Sequence, residues 1–289
     1  MAYPIIDETA GALLIADGRL YHVEDGEARP FFLPTDETMY YEVVRVRDGV
    51  PLFWEDHAAR LLHSVAGAFP LDLFRLRKDA DRLLAAADAR RCNIRIVVTA
   101  CHTVLHLSPY YYPSDTMVTE GVACSVLSWE RETPQVKTVR EDYKRAVATA
   151  FAIEGPGGRP FEVLLADRSG QLTEGSRSNL FFVHGNTVLS APDDCIMLGI
   201  TRRHVQRAVA EAGFAMETRT FAMEELRAGA ASAAFLTGSP IDVLPIARID
   251  TLELDPENAV VRAVRERYLE ILDEYVRHAS LLRDTCADR

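Results

Sequence analysis

The sequence predicts a mixed α/β protein of two lobes. Segments with the two-residue period of strands alternate with segments of helical period along the chain. The 289 residues, 48% of them apolar, suffice for one large core or two of ordinary domain size. A stretch at 108–119, Ser-Pro-Tyr-Tyr-Tyr-Pro-Ser-Asp-Thr-Met-Val-Thr, carries two prolines and several polar residues and marks a boundary. The expected organisation is an N-terminal α/β domain over 1–110, an interdomain linker over 111–120 and a larger C-terminal domain over 121–289.

The elements follow in order. Residues 13–16 and 19–23 read as a hairpin about Asp17-Gly18. Residues 40–46, Tyr-Tyr-Glu-Val-Val-Arg-Val, read as a strand that turns at Arg47-Asp48-Gly49 and returns over 51–54. From Asp56 the apolar positions Ala59, Leu61, Leu62 and Val65 recur at helical spacing, and a second helix is expected over about 72–89. Strands at 93–99 and 103–107 flank the short turn Ala100-Cys101-His102. Beyond the linker, strands are expected at 121–128, 162–166, 179–183 and 187–190. Helices are expected over 140–151, 201–211 and, closing the chain, 257–282.

Composition narrows the function classes. A net charge of −11 argues against a nucleic-acid partner, which needs a basic surface, and is simply accounted for by solubility. No run of about 18 apolar residues is present, so no membrane span is expected. The first residues lack the basic-then-apolar pattern of a secretory signal, so a cytoplasmic location is expected. Cys92, Cys101, Cys124, Cys195 and Cys286 are odd in number, scattered and free of any C-x-x-C pair. They are expected to be reduced and packed, with neither a disulfide framework nor a metal site. Only three lysines occur, Lys78, Lys137 and Lys144, so chemistry that needs an amine has three candidates. Lys78 and Lys144 sit in charged helical segments; Lys137 follows Pro134-Gln135-Val136.

Four groups of residues draw attention. Tyr41-Glu42-Val43-Val44-Arg45 is followed by Asp56-His57-Ala58-Ala59-Arg60-Leu61, placing a guanidinium, a fork for phosphate oxygens, on the helix after the strand. Tyr41 and Glu42 alternate and so face opposite sides of that strand. Pro134 to Thr138 carries Lys137. Leu172-Thr173-Glu174-Gly175-Ser176-Arg177-Ser178-Asn179-Leu180-Phe181 is a turn between two strands bearing a carboxylate. Leu198-Gly199-Ile200-Thr201-Arg202 opens a helix, with Thr201 read as its cap and free N–H groups beyond it, and Phe235-Leu236-Thr237-Gly238-Ser239-Pro240 is a small-residue loop. In isolation each has a plain alternative: an exposed helical arginine, a core tyrosine, a surface hairpin glutamate, an ordinary helix start.

In this order, over roughly 40–246, these segments resemble the fold-type IV enzymes dependent on pyridoxal 5'-phosphate (PLP). That group holds branched-chain aminotransferases, D-amino-acid aminotransferases and aminodeoxychorismate lyase. The resemblance implies a two-lobed fold with a mixed, barrel-like C-terminal PLP-binding domain. It implies Lys137 as the catalytic amine that carries PLP as an internal aldimine, with Lys144 in reserve. It implies Arg60, Ser178, Asn179, Ile200, Thr201, Gly238 and Ser239 as cofactor-binding residues, and Glu174 as the carboxylate on the pyridine nitrogen. Tyr143 is implied as the hydroxyl reaching the phenolic oxygen, although Thr138-Val139-Arg140-Glu141-Asp142-Tyr143 departs from the family's usual asparagine-tyrosine register. Pro240 stands where the family often has alanine and removes one amide donor. Arg95, in Asn93-Ile94-Arg95-Ile96, resembles the arginine of a Tyr-Ile-Arg motif on the substrate carboxylate in branched-chain aminotransferases. Tyr41, Arg95 and His102 are the implied substrate-binding residues. The expected function is transfer of an amino group between an amino acid or amine and a 2-oxo acid. Alternatives are the lyase reaction on aminodeoxychorismate and a fold that has lost catalysis. A homodimer is implied by the family only.

Overall fold

The computed structural model describes residues 5, 9–109, 112–135, 140–155 and 158–287; of 282–287 only the backbone is described. The described residues divide into two compact units, one built on those up to 109 with 273–287, the other on those within 112–135 and 140–272.

The first unit contains a six-stranded sheet in the order β2-β1-β6-β5-β3-β4. Its strands are β1 (Leu13–Ala16), β2 (Arg19–His22), β3 (Tyr40–Arg47), β4 (Val50–Pro51), β5 (Cys92–Val98) and β6 (Thr103–Ser108), and every pairing is antiparallel. Helices α1 (Trp54–Val65) and α2 (Leu73–Ala86) cover one face. Their apolar stripe, Ala58, Leu61, Val65, Leu76, Ala80 and Leu83, packs on Val44, Val46, Ile94, Ile96, Val98 and Leu105. The i, i+3, i+4 spacing on the helices meets the alternate residues of the strands, which is why the two periods were readable. Asp72 caps α2 by accepting from Arg75 N at 3.0 Å. The start of α1 is capped differently. Phe53 adopts a left-handed conformation (φ 51°), and the amide of Trp54 donates to Tyr275 Oη at 3.1 Å while that hydroxyl donates to Glu55 at 2.8 Å.

The second unit is built on a ten-stranded sheet: β7 (Val122–Ser128), β8 (Glu162–Ala166), β9 (Gln171–Gly175), β10 (Asn179–His184), β11 (Thr187–Ser190), β12 (Ala215–Thr218), β13 (Phe221–Ala222), β14 (Ala233–Gly238), β15 (Asp242–Ile249) and β16 (Leu252–Glu253). The order β10-β14-β15-β7-β8-β9 returns to β10 through the pair Glu174–Asn179, closing a six-stranded barrel. The pairs β15–β7 and β7–β8 are parallel and the remaining pairs of the ring antiparallel. Leu164, Leu172, Leu180, Phe182, Leu236 and Leu244 are among the buried residues of its core, while Phe181 and Phe235, of opposite parity, stack at 5.0 Å. Helices α3 (Asp115–Glu120), α4 (Glu141–Ala152), α5 (Ile200–Glu211), α6 (Met223–Arg227) and α7 (Ala259–Ala287) complete the described α-helices, and the last turns of α7 are grouped with the first unit.

Three sequence expectations change. The linker stretch contains α3, capped by Ser114 accepting from Met117 N, and the small-residue loop is the end of β14 and its turn into β15. Cys101 and Cys195 are exposed, not packed; Cys92 and Cys124 are buried, and all four are free thiols. No described helix is long and apolar enough to cross a membrane.

Candidate active site

In the second unit the barrel's closing seam sets the geometry. Glu174 on β9 pairs with Asn179 on β10, which pairs with Thr237 on β14, so three polar side chains stand in register across three strands. The segment leading into α5 lies against this row. Asn179 Nδ2 donates to Met197 O at 2.7 Å, and Met197 N donates to Glu174 Oε2 at 3.0 Å. Gly199 follows, where a side chain's first carbon would collide with Asn179 Oδ1; only glycine fits that approach. Gly199, not Thr201, is the N-cap of α5, and the helix begins at Ile200. The first N–H groups of such a helix have no partner within it and form an anion-binding end. Thr237 Oγ1 is buried and makes no hydrogen bond among the described residues. Gly238 and the half-buried Ser239 lead from it into the turn, closed by Ile241 N donating to Gly238 O at 3.0 Å.

Glu174 is the centre of the cluster. It is 2% exposed, and its Oε1 accepts no hydrogen bond from the described residues. Burial raises its pKa to about 7, opposed by the Arg131 guanidinium and the Met197 amide, reinforced by Glu162 and opposed again by Arg202. Arg131 Nε lies 3.3 Å from Oε1. Its guanidinium donates to Ser176 O and to Tyr143 Oη, both at 3.0 Å, and lies over the Tyr143 ring, 4.9 Å from its centroid. Tyr143 in turn donates to Ser176 O at 2.6 Å; burial, above all, pushes its pKa up to about 12. A second buried carboxylate, Glu162 on β8, fixes the turn after Glu174: it accepts from Ser176 Oγ at 2.6 Å and Ser178 Oγ at 2.8 Å. A side chain at Gly175 would strike Ser178 and Glu162, so the glycine of Thr-Glu-Gly is also set by close packing. Arg202 is buried on α5 and pairs with Asp193 at 2.8 Å.

The sequence-predicted residues of this unit thus fall around one seam. Glu174, Asn179, Ile200, Thr201 and Gly238 come together there, Ser239 follows in the turn, Ser178 donates its hydroxyl proton to Glu162, and Tyr143 is bonded beneath the Glu174 turn. Lys137 lies outside the described residues. Arg131, Glu162 and Thr237 were not singled out from sequence. An arginine and a glutamate at loop and strand ends look like ordinary surface charges, and only their burial distinguishes them.

In the first unit Arg60 forks onto Glu42, with Nε and Nη2 each 2.7 Å from a carboxylate oxygen, and His57 Nδ1 lies 2.8 Å from the same carboxylate. Glu42 therefore faces α1, and Tyr41 the opposite side, where the Arg95 guanidinium lies 4.8 Å from its ring centroid. His102 is half exposed and bonded to Asp17 at 2.8 Å. Among the described residues no group of His, Cys, Asp or Glu is arranged to hold a metal ion.

A closed mixed barrel with a buried carboxylate on its seam defines an α/β protein with a helix N-terminus next to an acidic group. The particular family follows from comparison. The chain belongs to the amino-transferase class IV family, whose model matches residues 39–249. It is 26% identical over 255 residues to a D-alanine aminotransferase of Listeria innocua, covering 82% of this chain and 86% of that protein. A probable branched-chain-amino-acid aminotransferase of Synechocystis sp. is 26% identical over 154 residues. The match spans about half the length of that protein and of a Pseudomonas aeruginosa branched-chain-amino-acid aminotransferase. The fold is that of a branched-chain aminotransferase from Thermoproteus uzoniensis solved with norvaline, at TM-score 0.77 and 22% identity, covering 91% of this chain and 95% of that one. A further branched-chain amino acid aminotransferase of the same fold, at TM-score 0.78 and 21% identity over 92% of this chain and 95% of that one, was solved with pyridoxamine 5'-phosphate.

Proposed function

We propose that the protein is a PLP-dependent aminotransferase that moves an amino group from an amino acid or amine to a 2-oxo acid. The observation that carries this reading is Glu174: a carboxylate almost wholly removed from water, one oxygen of which accepts no hydrogen bond from the described residues, at the barrel seam beside the start of α5. That donor set fits PLP. Oε1, to which no described residue donates a hydrogen bond, suits the ring nitrogen's proton, and the α5 start, with Thr237, Gly238 and Ser239 close by in sequence and register, offers N–H and hydroxyl groups for a phosphate. When bound, PLP supplies an electron sink for the carbanion formed at the substrate carbon.

The chain's own residues supply the rest. Glu174 holds the ring proton, which requires the carboxylate to be ionised when the cofactor is seated. Lys137 is assigned as the amine that would hold the cofactor and would move the proton at the substrate carbon, which requires it to be partly neutral. Arg60 is assigned to the phosphate, its guanidinium aimed by Glu42; Tyr41, Arg95 and His102 are assigned to the substrate. A homodimer in the cytoplasm is part of the same proposal, and sedimentation reads the first of these.

The test is reconstitution with PLP in both arms of a half-reaction. The purified protein is expected to gain a visible absorbance band in stoichiometric yield and to lose it on addition of an amino donor, with recovery on adding a 2-oxo acid. Both enantiomers of several amino acids and simple amines define the donor. A protein that stays colourless, or a band that no donor shifts, contradicts the proposal.

A further inference from the structure

The buried carboxylate poses a problem of its own. Burial favours the neutral form of Glu174, and the neighbouring Glu162 pushes the same way. A neutral carboxyl would leave its proton on the oxygen instead of on a ring nitrogen. Three groups oppose this: the Met197 amide on Oε2, Arg202 from α5, and Arg131 at 3.3 Å from Oε1. Tyr143, the other titratable group against the cluster, keeps its proton, since it donates to Ser176 O.

Of these, Arg131 is placed as if for the task. Its side chain is 22% exposed, and it is held by two hydrogen bonds and a ring face at once: Ser176 O, Tyr143 Oη and the Tyr143 ring. The ring of Trp129 lies 5.7 Å from that of Tyr143 and backs it. A guanidinium fixed on that side is a permanent positive charge close to one carboxylate oxygen without forming a hydrogen bond to it. It therefore biases the carboxylate toward the ionised form and leaves the acceptor directions of Oε1 to another donor.

Resting on the PLP reading above, we infer that Arg131, clamped by Tyr143 and Ser176, is a positioning residue that keeps Glu174 ionised for the cofactor's ring nitrogen. Tyr143 then serves as the clamp's platform.

Two readouts test this. In cofactor-free protein with carboxyl-labelled glutamate, the Glu174 resonance, assigned by its loss in Glu174→Gln, is titrated by NMR in wild type, Arg131→Met and Arg131→Lys. The pKa is expected to rise by roughly one pH unit or more in Arg131→Met, the effect of losing an opposite charge at this range, and to stay near the wild-type value in Arg131→Lys. In the second readout PLP is titrated by absorbance at neutral pH. Arg131→Met is expected to bind about tenfold more weakly, because a charge-assisted bond to the ring is lost, and Arg131→Lys to recover most of the affinity. Should Arg131→Met fail to fold, Tyr143→Phe removes one anchor of the guanidinium and is expected to raise the Glu174 pKa to a smaller extent. An unchanged Glu174 titration in these variants overturns the inference whether or not PLP binds. Wild-type protein that binds no PLP overturns the cofactor reading and the assignment to the ring together, while the NMR titration still reports whether Arg131 governs the carboxyl.

Discussion

Glu174 is a carboxylate folded where its charge is costly, and that cost has a measurable sign. Its pKa in the cofactor-free fold is raised to about 7, while an unfolded chain leaves it at its ordinary value near 4.5. Between those values the folded protein holds a proton that the unfolded chain has released, so stability falls as pH rises through this window. The stabilisation is complete below about 4.5 and gone above about 7. Its size is on the order of 3 kcal/mol. Urea unfolding of cofactor-free wild type between pH 4.5 and 7.5 is expected to show this decline, and Glu174→Gln to lack that component; equal slopes would mean that Glu174 titrates normally. At this scale the sequence was half legible. Thr173-Glu174-Gly175 with Asn179-Leu180-Phe181 marked the carboxylate, because glycine and asparagine at those positions answer to close packing. Arg131 and Glu162 were invisible, because what makes them matter is burial beside Glu174, and burial of a charged residue leaves no period in the sequence.

Elements bring these residues together through register. One pair, Glu174 with Asn179, closes the barrel, and Asn179 is also the residue against which α5 is laid. The helix start and the carboxylate are thus positioned by the same side chain. Gly199→Ala should test that link: its methyl would collide with Asn179 Oδ1, backed by Asn179 Cγ at 3.3 Å and Arg202 Cβ at 3.4 Å. A loss of roughly 1–3 kcal/mol in denaturant unfolding is expected, with weaker phosphate or PLP binding; a variant as stable as wild type would show that the seam gives way freely. Strands such as 93–99 and 162–166 were readable from their apolar runs and the turns around them, and α1 and α2 from their helical stripe. The start of α5 was misread by two residues. Threonine is the better cap by propensity, but the space beside Asn179 admits only glycine. The end of β14 read as a loop because Gly238-Ser239-Pro240 outweighed the buried Phe235 and Leu236 before it. The linker hid α3, whose six residues are too few to show a period.

For the whole molecule, membership of the class IV family and a shared fold with branched-chain aminotransferases bind these details into one account. The grouping of the last turns of α7 with the first unit was not legible, because a helix of uniform period carries no sign of which core each turn covers. The charge of −11 and the scattered cysteines carry no sign of what the molecule does. The proposed function rests on one lysine of three. The most direct measurement is borohydride reduction of the PLP-loaded protein followed by peptide mass analysis. The account predicts a single pyridoxyl-modified peptide, modified at Lys137. Modification at Lys78 or Lys144, or none at all, would contradict it.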